Sequence, residues 1–228
     1  MLYKTRAIAL SYIKFKETSI IAKLYTEEFG LQTYIQNSVR SAKAKPKMAF
    51  FQPLTLLDLV VYHKMGQEIH RISELKCLVA YQSLQTDFRK ITVASFLTEI
   101  ISKCVHEGDL NAELFEFLAS SFIHFDKQNV GYQNFHIHFL FELTNYLGFH
   151  PQSFDELKSQ LISYRTTWLN VFEDDSLKFI CVSLIEGMNN IEIDGHQRRI
   201  LIDMLLDFYQ SHIENFGEIK SLKVLREL

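Results

Sequence analysis

Cysteine is scarce and poorly placed for cross-linking: Cys77, Cys104 and Cys181 are odd in number and far apart. This argues against a disulfide framework and suits reduced thiols in a cytosol. None has Cys-x-x-Cys spacing or a neighbourhood that would activate a thiolate, so all three are read as core residues. Long apolar runs are also missing. No stretch approaches the ~18 residues of a membrane span, and the opening MLYKTR lacks the apolar run of about 7 to 15 residues that a secretory leader needs. A soluble, cytoplasmic protein is expected. Enzyme signatures are absent as well: there is no Gly-x-x-x-x-Gly-Lys phosphate loop, no Gly-x-Ser-x-Gly elbow and no His-Glu-x-x-His pair. No internal repeat or low-complexity tract interrupts the chain.

What is present is a lopsided charge. Residues 1–80 carry 12 Lys/Arg against 6 Asp/Glu, whereas residues 81–228 carry 12 against 21. The formal net charge of -3 conceals this split, and a ligand responds to local potential rather than to the sum. A basic front domain over residues 1–80 and an acidic rear domain over residues 81–228 are expected.

The front reads as strands. Ile8, Leu10 and Tyr12 alternate with smaller or polar neighbours, and Ile20, Ala22 and Leu24 repeat that period of two. Gly30 marks a tight turn requiring positive φ, followed by alternating runs over residues 31–37, 54–62 and 68–75. Five short strands without a helical period predict a small closed barrel of the OB type, which removes exposed sheet edges. After residue 80 the period becomes about 3.6. Val93, Phe96, Leu97, Ile100, Ile101 and Cys104 share one helical face, with Thr86 as the expected N-cap and Gly108 as the stop. Leu114, Phe117, Leu118, Phe122 and Phe125 form a second stripe entered through Asn111. Phe135, Phe139, Leu143 and Leu147 form a third that ends at Gly148 with Pro151 beyond it. Leu201, Met204, Leu205 and Phe208 mark a late helix, and Ile219, Leu222 and Leu225 a short terminal one. Residues 153–193 resist assignment, because Glu173, Asp174 and Asp175 interrupt them and Ile191 and Ile193 alternate like a strand.

Residues 38–48 contain Arg40, Lys43, Lys45 and Lys47 and no acid, spaced by Ser, Ala and Pro46. Such a segment can follow a phosphate backbone with little crowding, each neutralised phosphate releasing counterions; the competing reading is a solvated loop that only aids solubility. On a barrel it would lie beside a strand face carrying Tyr25, Tyr34 and the cations Lys14, Lys16 and Lys23. Single-stranded nucleic acid is held by cationic grooves with aromatic stacking platforms, although each tyrosine could equally be ordinary strand packing. His136 and His138 suggest metal, but an i, i+2 pair points to different helical faces, and no zinc site is predicted. Glu173, Asp174 and Asp175 could hold Mg²⁺ in a nuclease, yet adjacent acids in a loop are usually just solvated. An OB-type RNA-binding or assembly factor is the alternative reading for the barrel.

Several segments together resemble the RecO family of bacterial recombination mediators. They are residues 5–12, the turn of Tyr25, Thr26, Glu27 and Gly30, the basic residues 39–47, the Phe51, Gln52, Pro53, Leu54 strand entry, FLFELTNYLGFHP at 139–151 and GEIKSLKVL at 217–225. The resemblance implies an N-terminal OB barrel, a helical C-terminal domain and a non-enzymatic role in DNA repair and recombination. It further implies binding of single- and double-stranded DNA, strand annealing, and action with RecR in loading RecA onto strands coated by single-strand binding protein. That protein's acidic, apolar tail would dock in the helical domain. Many family members carry a four-cysteine zinc module after the Gly-Phe-x-Pro exit. Here no cysteine follows Pro151 until Cys181, so no zinc and no other cofactor is expected. Arg40, Lys43, Lys45 and Lys47 are the part of the DNA surface that carries over, in a cytoplasmic, nucleoid-associated protein.

Overall fold

A computed structural model describes residues 1–40, 42–188 and 190–227, with the side chains of residues 42–46 outside the described set. Strands β1 (Leu2–Phe15), β2 (Ser19–Thr26), β3 (Gly30–Gln36), β4 (Leu56–Tyr62) and β5 (Ile69–Cys77) close into a barrel in the order β1-β2-β3-β5-β4. Neighbours are antiparallel except β3 and β5, which run parallel. The connection from β3 to β4 is a 3-10 helix, Ala42–Phe51, flanked by Val39 and ending in Phe51, both buried in the barrel core. The expected five-stranded OB-type barrel is thus present, and its basic segment is a helical plug rather than an open loop.

β1 is long enough to pair on both sides, residues 2–8 with β4 and residues 7–15 with β2, and its register breaks between Ala9 and Ser11. A bulge of this kind bends a strand and lets it serve two partners. The interior receives Ala7, Ala9, Ile20, Ala22, Leu24, Leu57, Leu59 and Val61. Ile8 and Leu10 of the alternating run are buried on the outer side of β1, where α1 (Phe88–Cys104) packs; Tyr12 is exposed. Tyr34 points inward directly opposite Ala22, so the small alanines leave the room its ring fills. A column of rings continues from it: His70 stacks on His63 at 4.1 Å, and His63 on Phe29 at 4.1 Å. Gly30 takes φ 63° as its turn requires. A Cβ there would lie 2.5 Å from the Asp109 carbonyl oxygen, so the close approach of the 109 backbone also demands glycine.

Residues 1–128 and 219–228 form one compact unit, in which the barrel is joined by α1, α2 (Ala112–Lys127) and the terminal turn α8 (Leu222–Leu225). The apolar face read for α1 is buried. Its N-cap is Asp87 rather than Thr86, the carboxylate accepting from the backbone N–H of Arg89 and Lys90, and it ends at Cys104, before Gly108. Asn111 caps α2 as expected. A buried ammonium ties α1 and the segment before it to the end of α2. Lys90 Nζ donates to Ser83 Oγ and to the carbonyls of Phe125, Asp126 and Gln128 at 2.7 to 2.9 Å. It thereby satisfies carbonyls that the end of α2 leaves unpaired. The Asp126 carboxylate accepts from the N–H groups of Gln82, Ser83 and Leu84. Burial alone would raise its pKa, but those three N–H groups and the Lys90 charge hold it below the ordinary value. Glu99 of α1 receives the N–H groups of Lys220 and Ser221, tying α8 to the same unit.

Residues 129–218 form the second unit: α3 (Phe135–Leu147), α4 (Phe154–Tyr164), α5 (Trp168–Val171), α6 (Asp175–Ile185) and α7 (Gly195–His212). α3 is buried over most of its circumference, and Gly148 closes it at φ 83°. Tyr209 of α7 donates to the Leu140 carbonyl, and Trp168 Nε1 to Asp207. The unassigned stretch is helical. Ser153 caps α4, and Asp174 caps α6 by accepting from the N–H groups of Ser176 and Leu177. Ile191 and Ile193 lie in irregular chain, not a strand.

Candidate nucleic-acid interface

The barrel wall has a covered side and an open side. On the covered side Arg6 reaches both Glu27 and Glu116, and its guanidinium lies 5.0 Å from the Phe115 ring centroid. These charge-assisted contacts push the Arg6 pKa up and hold the Glu27 carboxyl below its usual range. Tyr25 belongs to this side. It is 1% exposed, stacks against Phe115 at 6.2 Å and donates to the Asn111 carbonyl, burial and the nearby Asp109 pushing its phenol up to about 12. Tyr34 is 0% exposed inside the barrel. The expectation that these two rings form a stacking platform is therefore overturned: they point to opposite faces of the sheet, and neither offers a ring face to solvent.

The cations fare differently. Lys14, Lys16, Lys23 and Lys47 are exposed and Arg40 is half-buried. Arg40 is the clasp: its N–H donates to the Thr18 carbonyl at 3.0 Å and its Nη1 to the Lys16 carbonyl at 3.1 Å. These bonds stitch the start of the basic segment onto the β1–β2 turn, so Lys16 and Arg40 share one end of the barrel. Two residues there hold positive φ without being glycine, Lys16 at 50° and Ser38 at 60°, a cost of order 1 kcal/mol each that surrounding contacts must offset. The side chains of Lys43 and Lys45 lie outside the described residues. Among the described residues none of Lys14, Lys16, Lys23, Arg40, Lys47 and Arg71 is ion-paired to a carboxylate.

Strand register arranges the open wall. Ile13 faces Ile21, Ile21 faces Ile35, Ile35 faces Arg71 and Arg71 faces Tyr62, one residue from each of the five strands. Ile13 is 64% exposed and Tyr62 48%. Arg71 and Tyr62 have no local sequence signal, because the parallel β3–β5 pairing that brings them beside β3 joins segments far apart in the chain. Beside Arg71 is a polar cleft of about 320 Å³ bounded by Gln36, Asn37, Ser38, Tyr62, Arg71 and Ser73.

The remaining candidates are structural. Cys104 and Cys181 are buried, burial pushing the Cys181 thiol up to about 12. Cys77, expected in the core, is exposed at the end of β5. His136 is buried and held near pKa 3, chiefly by burial and then by Arg198 and His138. Asp174 of the acidic cluster serves as a helix cap. No helix among the described residues is long and apolar enough to cross a membrane.

Comparison with known proteins agrees with this architecture. The model for the recombination protein O N-terminal domain matches residues 1–81, and that for its C-terminal domain matches residues 85–170. Similar proteins include the DNA repair protein RecO of Flavobacterium johnsoniae, 32% identical, and that of Christiangramia forsetii, 35% identical. RecO of Bacteroides fragilis is 30% identical. Each alignment covers 100% of this chain and 99% of the relative. With both domain models matched in order and full-length relatives at this identity, the chain belongs to the RecO family of DNA repair and recombination proteins.

Proposed function

We propose that this chain is a recombination mediator that acts by contact alone, without catalysing a covalent step. It binds single- and double-stranded DNA on the cationic end of the barrel and anneals complementary strands. With RecR it helps load RecA onto strands coated by single-strand binding protein. The observation that carries the reading is the clasp made by Arg40, which brings the start of the basic segment onto the β1–β2 turn of a closed barrel. Two strands repel each other through their phosphates, and neutralising both on one surface lowers that repulsion while releasing counterions. The contact set is Arg40, Lys43, Lys45 and Lys47 with Lys14, Lys16 and Lys23. The helical domain receives the tail of single-strand binding protein, and the work is done in the cytoplasm.

An annealing assay tests this. Complementary labelled oligonucleotides are mixed with and without single-strand binding protein, and pairing is followed by energy transfer. The chain should accelerate pairing of both naked and coated strands, and replacing Arg40, Lys43, Lys45 and Lys47 by Ala should remove most of the acceleration. No acceleration on either substrate, or preferential capture of structured RNA in competition, would overturn the reading in favour of an RNA-binding factor.

A further inference from the structure

We propose that the cleft beside Arg71 is a single-nucleotide pocket, with Tyr62 as its stacking surface, Arg71 as its phosphate contact and Gln36 with Asn37 reading the edge of the base. The proposal rests on the nucleic-acid reading above and locates a part of the interface that the basic segment does not contain.

Four observations lead to it. The two tyrosines that sequence offered as platforms are inaccessible, whereas Tyr62 is exposed on the open wall, cross-strand from Arg71. The cleft's volume of about 320 Å³ is at the lower end of small-molecule sites and suits one nucleotide rather than a larger ligand. Its lining is polar and includes the side-chain amides of Gln36 and Asn37. Asn37, whose Oδ1 already accepts from Ser19 Oγ, retains an amide NH₂ able to donate to a ring nitrogen or carbonyl. Finally, the cleft opens at the end of the Ile13, Ile21, Ile35 row. Adjacent strands lie about 4.8 Å apart, so this apolar track leads across the wall to Arg71. Lys23 and Arg71 lie on this wall without a carboxylate partner among the described residues.

The occupant that fits is one nucleic-acid strand: bases lie on the isoleucines, phosphates meet Lys23 and Arg71, and one nucleotide enters the cleft against Tyr62. A duplex keeps its bases stacked and cannot supply that nucleotide. The pocket therefore belongs to the single-stranded form and gives the barrel a means of telling it from duplex.

The test uses the full chain and oligonucleotides carrying one 2-aminopurine among thymines, with anisotropy for affinity and 2-aminopurine emission for stacking. Binding should quench the probe at one position in the strand. Tyr62→Ala should abolish that quench and weaken single-strand binding about 10- to 100-fold, leave duplex binding within about twofold, and be rescued by Tyr62→Phe or Trp. Arg71→Ala should make the single-strand salt slope shallower by about 0.7. If the wild type binds strands with salt sensitivity but Tyr62→Ala and Arg71→Ala both behave as wild type, this pocket is wrong and the cationic surface stands. If the wild type binds no strand at low salt, both readings fall together. Should an acidic, apolar peptide but not a strand protect Tyr62 from nitration, the wall is a protein-docking surface and the proposal is overturned.

Discussion

Replacing Lys90 by Met tests the packing logic that ties α1 and the segment before it to the end of α2. The three N–H donors of the ammonium are shared among four acceptors, three of them carbonyls at the end of α2. Met keeps the length and apolar stem of lysine but takes the ammonium donors from the Phe125 and Gln128 carbonyls, leaves the Asp126 carbonyl only the Ser83 hydroxyl, and leaves the Asp126 carboxylate without its cation. Each orphaned buried acceptor costs ~1 to 3 kcal/mol. Relief of the lysine's own desolvation, which holds its pKa below the ordinary value despite Asp126 and Asp87, returns part of this. The balance resembles breaking a buried pair, at the lower end of ~3 to 5 kcal/mol. At roughly 2 to 4 °C per kcal/mol for a chain of this size, the melting temperature should fall by about 6 to 12 °C. Urea unfolding followed by far-ultraviolet circular dichroism gives the free energy directly. The double variant with Asp126→Asn should lose less than the sum of the two single losses, by at least ~1 kcal/mol. Because Lys90 is buried, strand affinity of the folded variant should not change. A loss below about 1 kcal/mol, or strict additivity with Asp126→Asn, would refute the role assigned to this lysine.

Three further outcomes are expected. His136 is held near pKa 3 when folded, below an unfolded value of about 6.5, so its neutral form is favoured by the fold. Stability is fully present above about pH 6.5 and falls as pH drops, by roughly 2 kcal/mol by pH 5. The shifts of His63 and His70 act in the same direction, burial holding both down. In urea titrations His136→Phe should flatten the acid limb by about one proton's worth, and an unchanged limb would count against the assignment. Gly30→Ala places a Cβ against the Asp109 carbonyl at positive φ and should cost at least ~2 kcal/mol; a variant as stable as wild type would contradict the close approach. Tyr25 and Tyr34 should resist tetranitromethane in the native chain with and without DNA, while Tyr62 reacts unless a strand covers it, and nitration of either buried ring would restore it as a stacking candidate.

What could be read from sequence was local. The period-two runs around Ile20–Leu24 and the positive-φ glycine at Gly30 specify strands and turn through neighbours two or three residues away, and the barrel follows. The exit Gly148 with Pro151 is equally self-contained. The helices of residues 153–193 were legible in principle, since Ser153 and Asp174 are ordinary cap residues, but the acid run and the Ile191, Ile193 alternation obscured them. The site was harder. Alternation separates the two faces of a strand but cannot say which face a distant element covers, and it is Phe115 of α2 that hides Tyr25. Likewise Arg71 meets Ile35 only through a parallel pairing across residues 37–68, and Lys90 looks like any surface lysine until its four acceptors are assembled around it.

The most direct measurement is anisotropy of a labelled single-stranded oligonucleotide across a salt series, with wild type beside the Arg40→Ala, Lys43→Ala, Lys45→Ala, Lys47→Ala variant and a melt of each to confirm folding. Seven phosphate contacts at roughly -0.7 each give a log-log slope of about -4.9 for wild type, and loss of four should bring the variant to about -2.1 with weaker binding to every sequence. A wild-type slope near zero, or a folded variant that binds as wild type does, would contradict the claim that this end of the barrel is a phosphate-neutralising surface.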